Sequence, residues 1–165
     1  MTTQDYYNIV PDENGWREFP NGDKFKLGLD CIIGNDAYIE NNVTIGNNAS
    51  IGNYAYICNS AIITSNVVIG IGAKIGIGAY IGNRAKIGNN AYIGNNAYIG
   101  IDTSIGEWAV IGDGAYIGNC AKIGIGAYIG DYATIGNGAR IHNDATIDDG
   151  ATIDDDVSVS NNDKQ

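Results

Sequence analysis

One residue type recurs at every sixth position over most of this chain. Ile occupies each of these positions between Leu27 and Val159, the two ends are the only replacements, and no insertion interrupts twenty-two consecutive hexads. Ala or another small residue stands four positions after each Ile, as in the unit IGNNAY at residues 87–92. On a helix, a six-residue spacing would place successive Ile side chains about 240° apart and scatter them over the surface. The period therefore excludes a helical fold.

Each hexad instead predicts one short strand followed by a tight corner. The alternation of a strand directs Ala91 and Ile93 to one face and Tyr92 to the other. Gly94, with the Asn pair that follows it, provides the positive φ and the close backbone approach that a corner needs. One such strand buries little surface, so successive turns must stack into a solenoid with Ile and Ala inside.

This pattern resembles the hexapeptide-repeat proteins of the bacterial transferase type, and the resemblance spans Leu27 to Val159. It implies an all-β fold, a left-handed parallel β-helix built as a triangular solenoid of about seven coils, with three hexapeptides in each. The left hand is implied by the resemblance alone, because parallel crossovers are in general right-handed. We expect a β-helix at residues 27–159 and a polar C-terminal tail at residues 160–165.

Residues 1–26 do not follow the hexad and contain both Phe and both Pro residues of the chain. An open end of a β-helix exposes core and unpaired strand edges. We therefore interpret this segment as a short N-terminal cap in which Asn21-Gly22 turns a hairpin. The alternative is a docking segment for another protein.

Composition excludes several classes of partner. A net charge of −10 disfavours nucleic acid and anionic membranes, because both need a basic footprint. The chain has no apolar run of membrane-spanning length, and its first residues lack the basic and apolar regions of a signal peptide, so we expect a cytoplasmic protein without membrane insertion. A virion or surface assembly is the alternative location. Cys31, Cys58 and Cys120 occupy unrelated positions of the repeat, which argues against a disulfide framework.

Sorting the outward residues by coil places tyrosines in columns. One column carries Tyr80, Tyr98 and Tyr116 on three successive rungs, about 4.8 Å apart, where rings can stack. A second column carries Tyr38, Tyr56, Tyr92 and Tyr128. Such ladders arise from cross-strand packing alone, and they also suit a subunit interface or a platform for a protein or polysaccharide partner.

Four isoleucines replace the usual Asn of the corners, namely Ile71, Ile77, Ile101 and Ile125. Apolar side chains at wet corners favour a buried subunit contact. We expect a homo-oligomer, a trimer, packed through the tyrosine-bearing faces and these corners.

A column of acids occupies one corner on three consecutive coils. Asp113, Asp131 and Asp149 stack about 5 Å apart, where like charges repel. A Ca²⁺ ion could relieve this repulsion through several oxygens. The alternative is a solvated acidic edge without metal.

The single histidine decides the enzyme question. The resemblance implies acyl- or acetyltransferases that bind acyl-CoA in a cleft between subunits and use a His as general base, a role suited to a group that titrates near neutrality. His142 follows Ile141 in the position that Gly takes in most hexads. In the sugar-nucleotide acyltransferases of the family, the catalytic His comes one position later in its hexad. One His cannot supply the three ligands of a catalytic zinc site, so a γ-class carbonic anhydrase is excluded.

Two function classes follow. The first is a non-catalytic β-helical scaffold or interaction protein that self-associates through its flat faces and needs no cofactor. Its support is the unbroken register, because an active site usually requires an irregularity. The second is a minimal acyl- or acetyltransferase with His142 as base, with acetyl-CoA or another acyl-CoA as donor, and with Lys86, Lys122 and Arg140 facing the CoA phosphates. The second rests on the analogy of the fold.

Overall fold

A computed structural model of the protein describes residues 3–160, which form one short helix and twenty-four strands. The predicted tail at 160–165 lies outside these residues except for Ser160. Helix α1 is Thr3–Asn8, and strand β1 (Trp16–Glu18) pairs antiparallel with β2 (Lys24–Leu27). Every later pairing joins parallel strands.

The strands form three flat faces, which the chain visits in the order A, B, C. Face A stacks β2, β5 (Val43–Ile45), β8 (Ile62–Ile63), β11 (Tyr80–Ile81), β14 (Tyr98–Ile99), β17 (Tyr116–Ile117), β20 (Thr134–Ile135) and β23 (Thr152–Ile153). Face B stacks β3 (Ile32–Ile33), β6 (Ser50–Ile51), β9 (Val68–Ile69), β12 (Lys86–Ile87), β15 (Ser104–Ile105), β18 (Lys122–Ile123), β21 (Arg140–Ile141) and β24 (Ser158–Val159). Face C stacks β4 (Tyr38–Ile39), β7 (Tyr56–Ile57), β10 (Lys74–Ile75), β13 (Tyr92–Ile93), β16 (Val110–Ile111), β19 (Tyr128–Ile129) and β22 (Thr146–Ile147).

This arrangement confirms the predicted β-helix. Partner residues on adjacent coils are eighteen positions apart, as in Tyr80 with Tyr98. Faces A and B each have eight parallel rungs and face C has seven, so the solenoid has about eight turns rather than about seven. The first rung is β2, which contains the predicted start of the repeat at Leu27 and whose residues Phe25 to Leu27 pair in parallel with Val43 to Ile45.

The inward positions form one continuous core. Ile93 is fully buried, and Ala91, two residues earlier on the same face of the strand, is 1% exposed. The same alternation holds from Ile33 to Ile147, and beyond it Ile153 and Val159 are buried whereas Ala151 is partly buried and Val157 is 37% exposed. The side-chain directions predicted from the hexad are therefore confirmed.

Corners turn on one left-handed residue each. From Asp30 to Gly150 and Asp156, every sixth residue has φ between +54° and +68°. Asn, Asp, Ser or Gly usually occupies this position, but Tyr54, Trp108 and Tyr132 also adopt it, although bulky residues are strained there. The Gly before each pair of corner residues is explained by the close approach of the backbone of the next coil. A Cβ on Gly94 would lie 2.5 Å from the backbone carbon of Gly112 on the next coil.

A ladder of side-chain amides ties successive corners together. The amide N–H of Ile77 donates to Asn95 Oδ1 at 2.9 Å, and the same bond recurs along each corner. The Ile77 side chain has no hydrogen-bond acceptor, so it cannot accept the N–H of Asn59 on the preceding coil. The N–H of Asn59 donates instead to Glu40, at 2.7 Å.

Aromatic residues of the N-terminal segment pack against the first coils. Tyr6, Phe19 and Phe25 are buried, and the ring centroids of Phe19 and Phe25 lie 4.7 Å apart. The Tyr6 hydroxyl donates to Ala37 O at 2.8 Å. The predicted hairpin turn is present, with Gly22 at φ +90°. Capping by residues 1–26 stays a prediction. Within residues 3–160, no helix is long and apolar enough to cross a membrane.

We predict that Ile93→Ala lowers the free energy of unfolding by about 2 to 5 kcal/mol, because a buried side chain is replaced by a cavity. Denaturant titration measures the change. Ser104→Ala, at an outward position, is the matched control and should change stability by less than about 0.5 kcal/mol. An unchanged midpoint for Ile93→Ala would contradict the assignment of the inner face.

Candidate functional site

The single histidine lies on the surface, at the corner between faces B and C. Its imidazole Nε2 is 2.9 Å from Ser158 Oγ on the last coil. The backbone N–H of His142 donates to Val159 O at 2.9 Å, so the strand register fixes the position of the residue. His142 is exposed and can therefore reach a molecule in solution.

Two cations flank this histidine. Lys122 and Arg140 are register partners on face B. With His142, Asn143, Gly124 and Ser160 they line a groove of about 480 Å³. Lys86 lies on the same face but two coils before Lys122, outside this groove. The structure thus brings together two of the three predicted basic residues and the predicted base. In a chain with net charge −10, this groove is a local concentration of basic side chains.

Tyr80, Tyr98 and Tyr116 stack on face A as the column predicts. Their ring centroids are 5.0 and 4.9 Å apart, with interplanar angles of 5°. Because the ring faces cover each other, the column presents ring edges to its surroundings. A sugar ring that needs an open aromatic face finds none within this stack.

Face C has a different aromatic arrangement. Tyr38 and Tyr56 stack at 5.0 Å, and Lys74 Nζ lies 5.8 Å from the Tyr56 ring centroid and 5.7 Å from that of Tyr92. Tyr128 is exposed further along the face. The Tyr56 hydroxyl donates to Glu40, and this bond raises the pKa of Tyr56 to about 12. Residue spacing places Lys74 between Tyr56 and Tyr92 in this column, but it does not predict that Nζ approaches both rings.

The four corner isoleucines do not form one patch. All are between 38% and 51% exposed. Ile71 and Ile125 share the corner between faces B and C, Ile77 lies between C and A, and Ile101 lies between A and B. A single flat contact cannot bury all four side chains. Their joint burial in one subunit interface stays a prediction.

The aspartate column belongs to the corner ladder. Asp113 N–H donates to Asp131 Oδ1 at 2.8 Å, and Asp131 N–H donates to Asp149 Oδ1 at 2.9 Å. Asp113 itself accepts from the Asn95 backbone at 2.7 Å. One oxygen of each carboxylate thus replaces an Asn amide oxygen. Among the described residues, no group of three or more His, Cys, Asp or Glu side chains is arranged to hold a metal ion, and the calcium alternative stays a prediction.

Comparison with known protein families assigns the chain to one family. The sequence profile for the bacterial transferase hexapeptide (six repeats) matches residues 30–65, 66–100 and 90–125. These matches cover residues 30–125, more than half of the chain. The chain belongs to this hexapeptide-repeat family. His142 and Arg140 lie beyond the matched residues, whereas Lys122 and Gly124 of the same groove lie within them.

Solved structures share the left-handed β-helix. A UDP-N-acetylglucosamine acyltransferase from Campylobacter jejuni is 24% identical, with a TM-score of 0.53, over 81% of this chain and 62% of that one. The acetyltransferase domain of PglB from Neisseria gonorrhoeae is 20% identical, with a TM-score of 0.51, over 83% and 57%. A UDP-N-acetylglucosamine O-acyltransferase from Moraxella catarrhalis is 20% identical, with a TM-score of 0.55, over 74% and 58%. The chain spans about three fifths of the length of these proteins, and the likeness shows the fold. No curated protein sequence matches the chain.

Sequence reasoning missed two features of this surface. Ser158 stands in the same column as Arg140, one coil later, so the eighteen-residue period already places it beside His142. Tyr54 and Trp108 occupy left-handed corner positions and are 64% and 62% exposed. Their departure from the usual Asn, Asp or Gly was visible in the sequence.

We predict that Asp131→Asn keeps the corner bond and raises the melting temperature at low salt. The amide retains the Oδ1 acceptor for Asp113 N–H while it removes a like charge from the column, a gain of about 0.2 to 1 kcal/mol that salt screens. Thermal unfolding at two salt concentrations measures this effect. If calcium instead stabilised the native protein and not the variant, the three carboxylates would be a cation site.

Proposed function

We propose that the protein is an acyl- or acetyltransferase that takes an acyl-CoA donor in the groove beside His142. The observation that carries this proposal is the placement of the only histidine, exposed, in a groove flanked by Lys122 and Arg140. Membership of a transferase family and the acyltransferase neighbours support the reaction class.

Each side chain of the groove has a role in this reaction. Lys122 and Arg140 are placed to bind the phosphates of CoA as charge-assisted donors. Acyl-CoA, when bound, supplies the acyl group as a thioester. His142 takes the proton from the acceptor hydroxyl or amine through Nδ1, the ring nitrogen that does not face Ser158, as the acceptor attacks the acyl carbonyl, and later returns it to the departing thiolate. Ser158, at 2.9 Å, orients the imidazole.

A second candidate is the non-catalytic scaffold that self-associates through its flat faces. It is supported by the regular corners, which run without an extruded loop from Asp30 to Asp156. A rigid spacer needs length and regularity, whereas no loop closes over the His142 groove within the described residues. Donor binding separates the two candidates.

We predict micromolar binding of acetyl-CoA by calorimetric titration, weakened at least tenfold in a Lys122→Ala, Arg140→Ala variant, because both cations face the donor phosphates. Lys86→Ala is the matched control on the same face and should retain affinity. His142→Gly, which restores the usual corner residue, should leave binding unchanged and abolish acyl transfer in the presence of an amine or sugar acceptor. Absence of binding at millimolar acetyl-CoA would favour the scaffold.

We also predict a homotrimer packed through face A. The outward residues of this face from Thr44 to Thr152 are all Thr, Ile or Tyr and carry no charge, which suits an interface between chains that are otherwise acidic. Tyr98→Arg puts a charge at the centre of the tyrosine stack and should release single chains in sedimentation equilibrium, whereas Ser104→Arg on face B should not. A mass of one chain for the unaltered protein would contradict the trimer.

A further inference from the structure

The corner edge between faces B and C carries two residues that break the local rule of the fold. Tyr54 and Trp108 adopt left-handed φ values of 59°, where Asn or Gly costs less. Both side chains point into solvent, with 64% and 62% exposure. Ile71 and Ile125 on the same edge are 50% and 51% exposed. Their side chains cannot accept the corner hydrogen bond that an Asn side chain accepts. Four apolar side chains thus occupy positions that the fold itself would fill with Asn.

The order of these residues along the edge is symmetric. Between β3 and β22 this edge has seven corner tips, which read Asn35-Asp36, Asn53-Tyr54, Ile71-Gly72, Asn89-Asn90, Glu107-Trp108, Ile125-Gly126 and Asn143-Asp144. The central five tips carry the symmetric pattern. One aromatic tip and one Ile-Gly tip therefore lie on each side of Asn89-Asn90. The symmetry is complementary, because an aromatic tip on one side of the centre has an Ile-Gly tip at equal distance on the other.

We propose that this edge binds a second copy of the chain in antiparallel orientation, about a two-fold axis beside Asn90. The axis brings Trp108 of one copy against Ile71-Gly72 of the other, and Tyr54 against Ile125-Gly126. Each contact occurs twice, so four aromatic side chains meet four positions that lack a bulky side chain. This is the self-complementary pattern of an isologous contact.

Polar groups on the edge agree with this pairing. Asn90 Oδ1 and Asp144 Oδ1 lie across Gly72 and Gly126, 2.5 and 2.4 Å from where a Cβ would stand. They offer acceptors at the two places where an indole N–H and a phenol O–H arrive. Glu107 is the one charged residue among the ten residues of the central five tips, and the coil opposite it carries Lys74. Asp36 and Asp144, at the two ends of the edge, face each other across the axis, and their repulsion is screened by salt.

The other edges lack this complementarity. The edge between faces C and A carries one aromatic tip, Tyr132, beside the aspartate column of Asp113, Asp131 and Asp149. Burial of that column against a second acidic chain would cost free energy. The edge between A and B carries the Arg84–Asp102 ion pair and no aromatic residue at its tips.

The size of the contact sets the conditions of the test. Five rungs extend over about 19 Å, so this is a small interface of the weakly associating class. Each chain has a charge of −10, and salt screens the repulsion between copies. Association should therefore strengthen with salt and with protein concentration, opposite to the behaviour of an interface held by ion pairs.

Sedimentation of a Trp108→Asn, Ile125→Asn variant tests the proposal. Both substitutions restore the usual corner residue, so the variant should melt at or above the temperature of the native protein while its mass falls at least twofold. Tyr132→Asn, Ile77→Asn is the matched control on the edge between C and A and should keep the native mass. Equal masses for the native protein and the Trp108→Asn, Ile125→Asn variant would overturn the proposal. The mass of that variant, one chain or three, separately reports the trimer through face A.

Cross-linking tests the orientation. In a Cys120→Ser background, Asn90→Cys lies next to its own counterpart only if the copies are antiparallel about this coil, and it should form a disulfide-linked dimer. Asn143→Cys is three coils from the axis and should not. Combining Asn35→Cys chains with Asn143→Cys chains should restore the link. Equal cross-linking of Asn90→Cys and Asn143→Cys, or none of Asn90→Cys, would overturn the antiparallel register.

Discussion

The whole structure depends on backbone pairing between residues eighteen positions apart. The strand N–H groups of each coil donate to the next coil, as in Tyr92 to Ala109 O at 2.9 Å, and each inward Ile packs on an Ile of the neighbouring coil. One inserted residue would move the outward side chain into the core and break the ladder beyond it. The register therefore tolerates substitution at outward and corner positions and little change elsewhere.

This constraint separates residues that build the fold from residues that are free to serve a function. An inward Ile such as Ile93 is explained by packing. The register fixes the position of an outward residue but not its identity. Face A can therefore be uncharged from Thr44 to Thr152 while face B carries Lys122 and Arg140 on adjacent rungs. Function in such a protein must be sought in these outward columns and in corners that depart from Asn, Asp and Gly.

The period predicted most of the fold for the same physical reason. A strict six-residue repeat allows one side-chain direction per position, so the inner Ile, the outward columns and the Tyr80 stack all follow from counting. What counting could not predict is how side chains lean between coils. Glu40 reaches Asn59 N–H and the Tyr56 hydroxyl, and Lys74 lies between two rings. These contacts depend on rotamers and on which neighbours happen to lack an acceptor, as Ile77 does.

Departures from the local rule distinguish the candidate surfaces better than resemblance does. His142 replaces a Gly and costs the corner its usual residue, and Trp108 holds a bulky ring in a left-handed conformation at the same edge, two coils earlier. A spacer gains nothing from Trp108, because Asn or Gly costs less free energy in a left-handed conformation. Both departures lie on the edge between faces B and C, so that edge combines the groove proposed for an anionic donor with the apolar side chains proposed to hold a second copy. A regular solenoid and a localised site are therefore compatible, since the register supplies rigidity and one edge supplies chemistry.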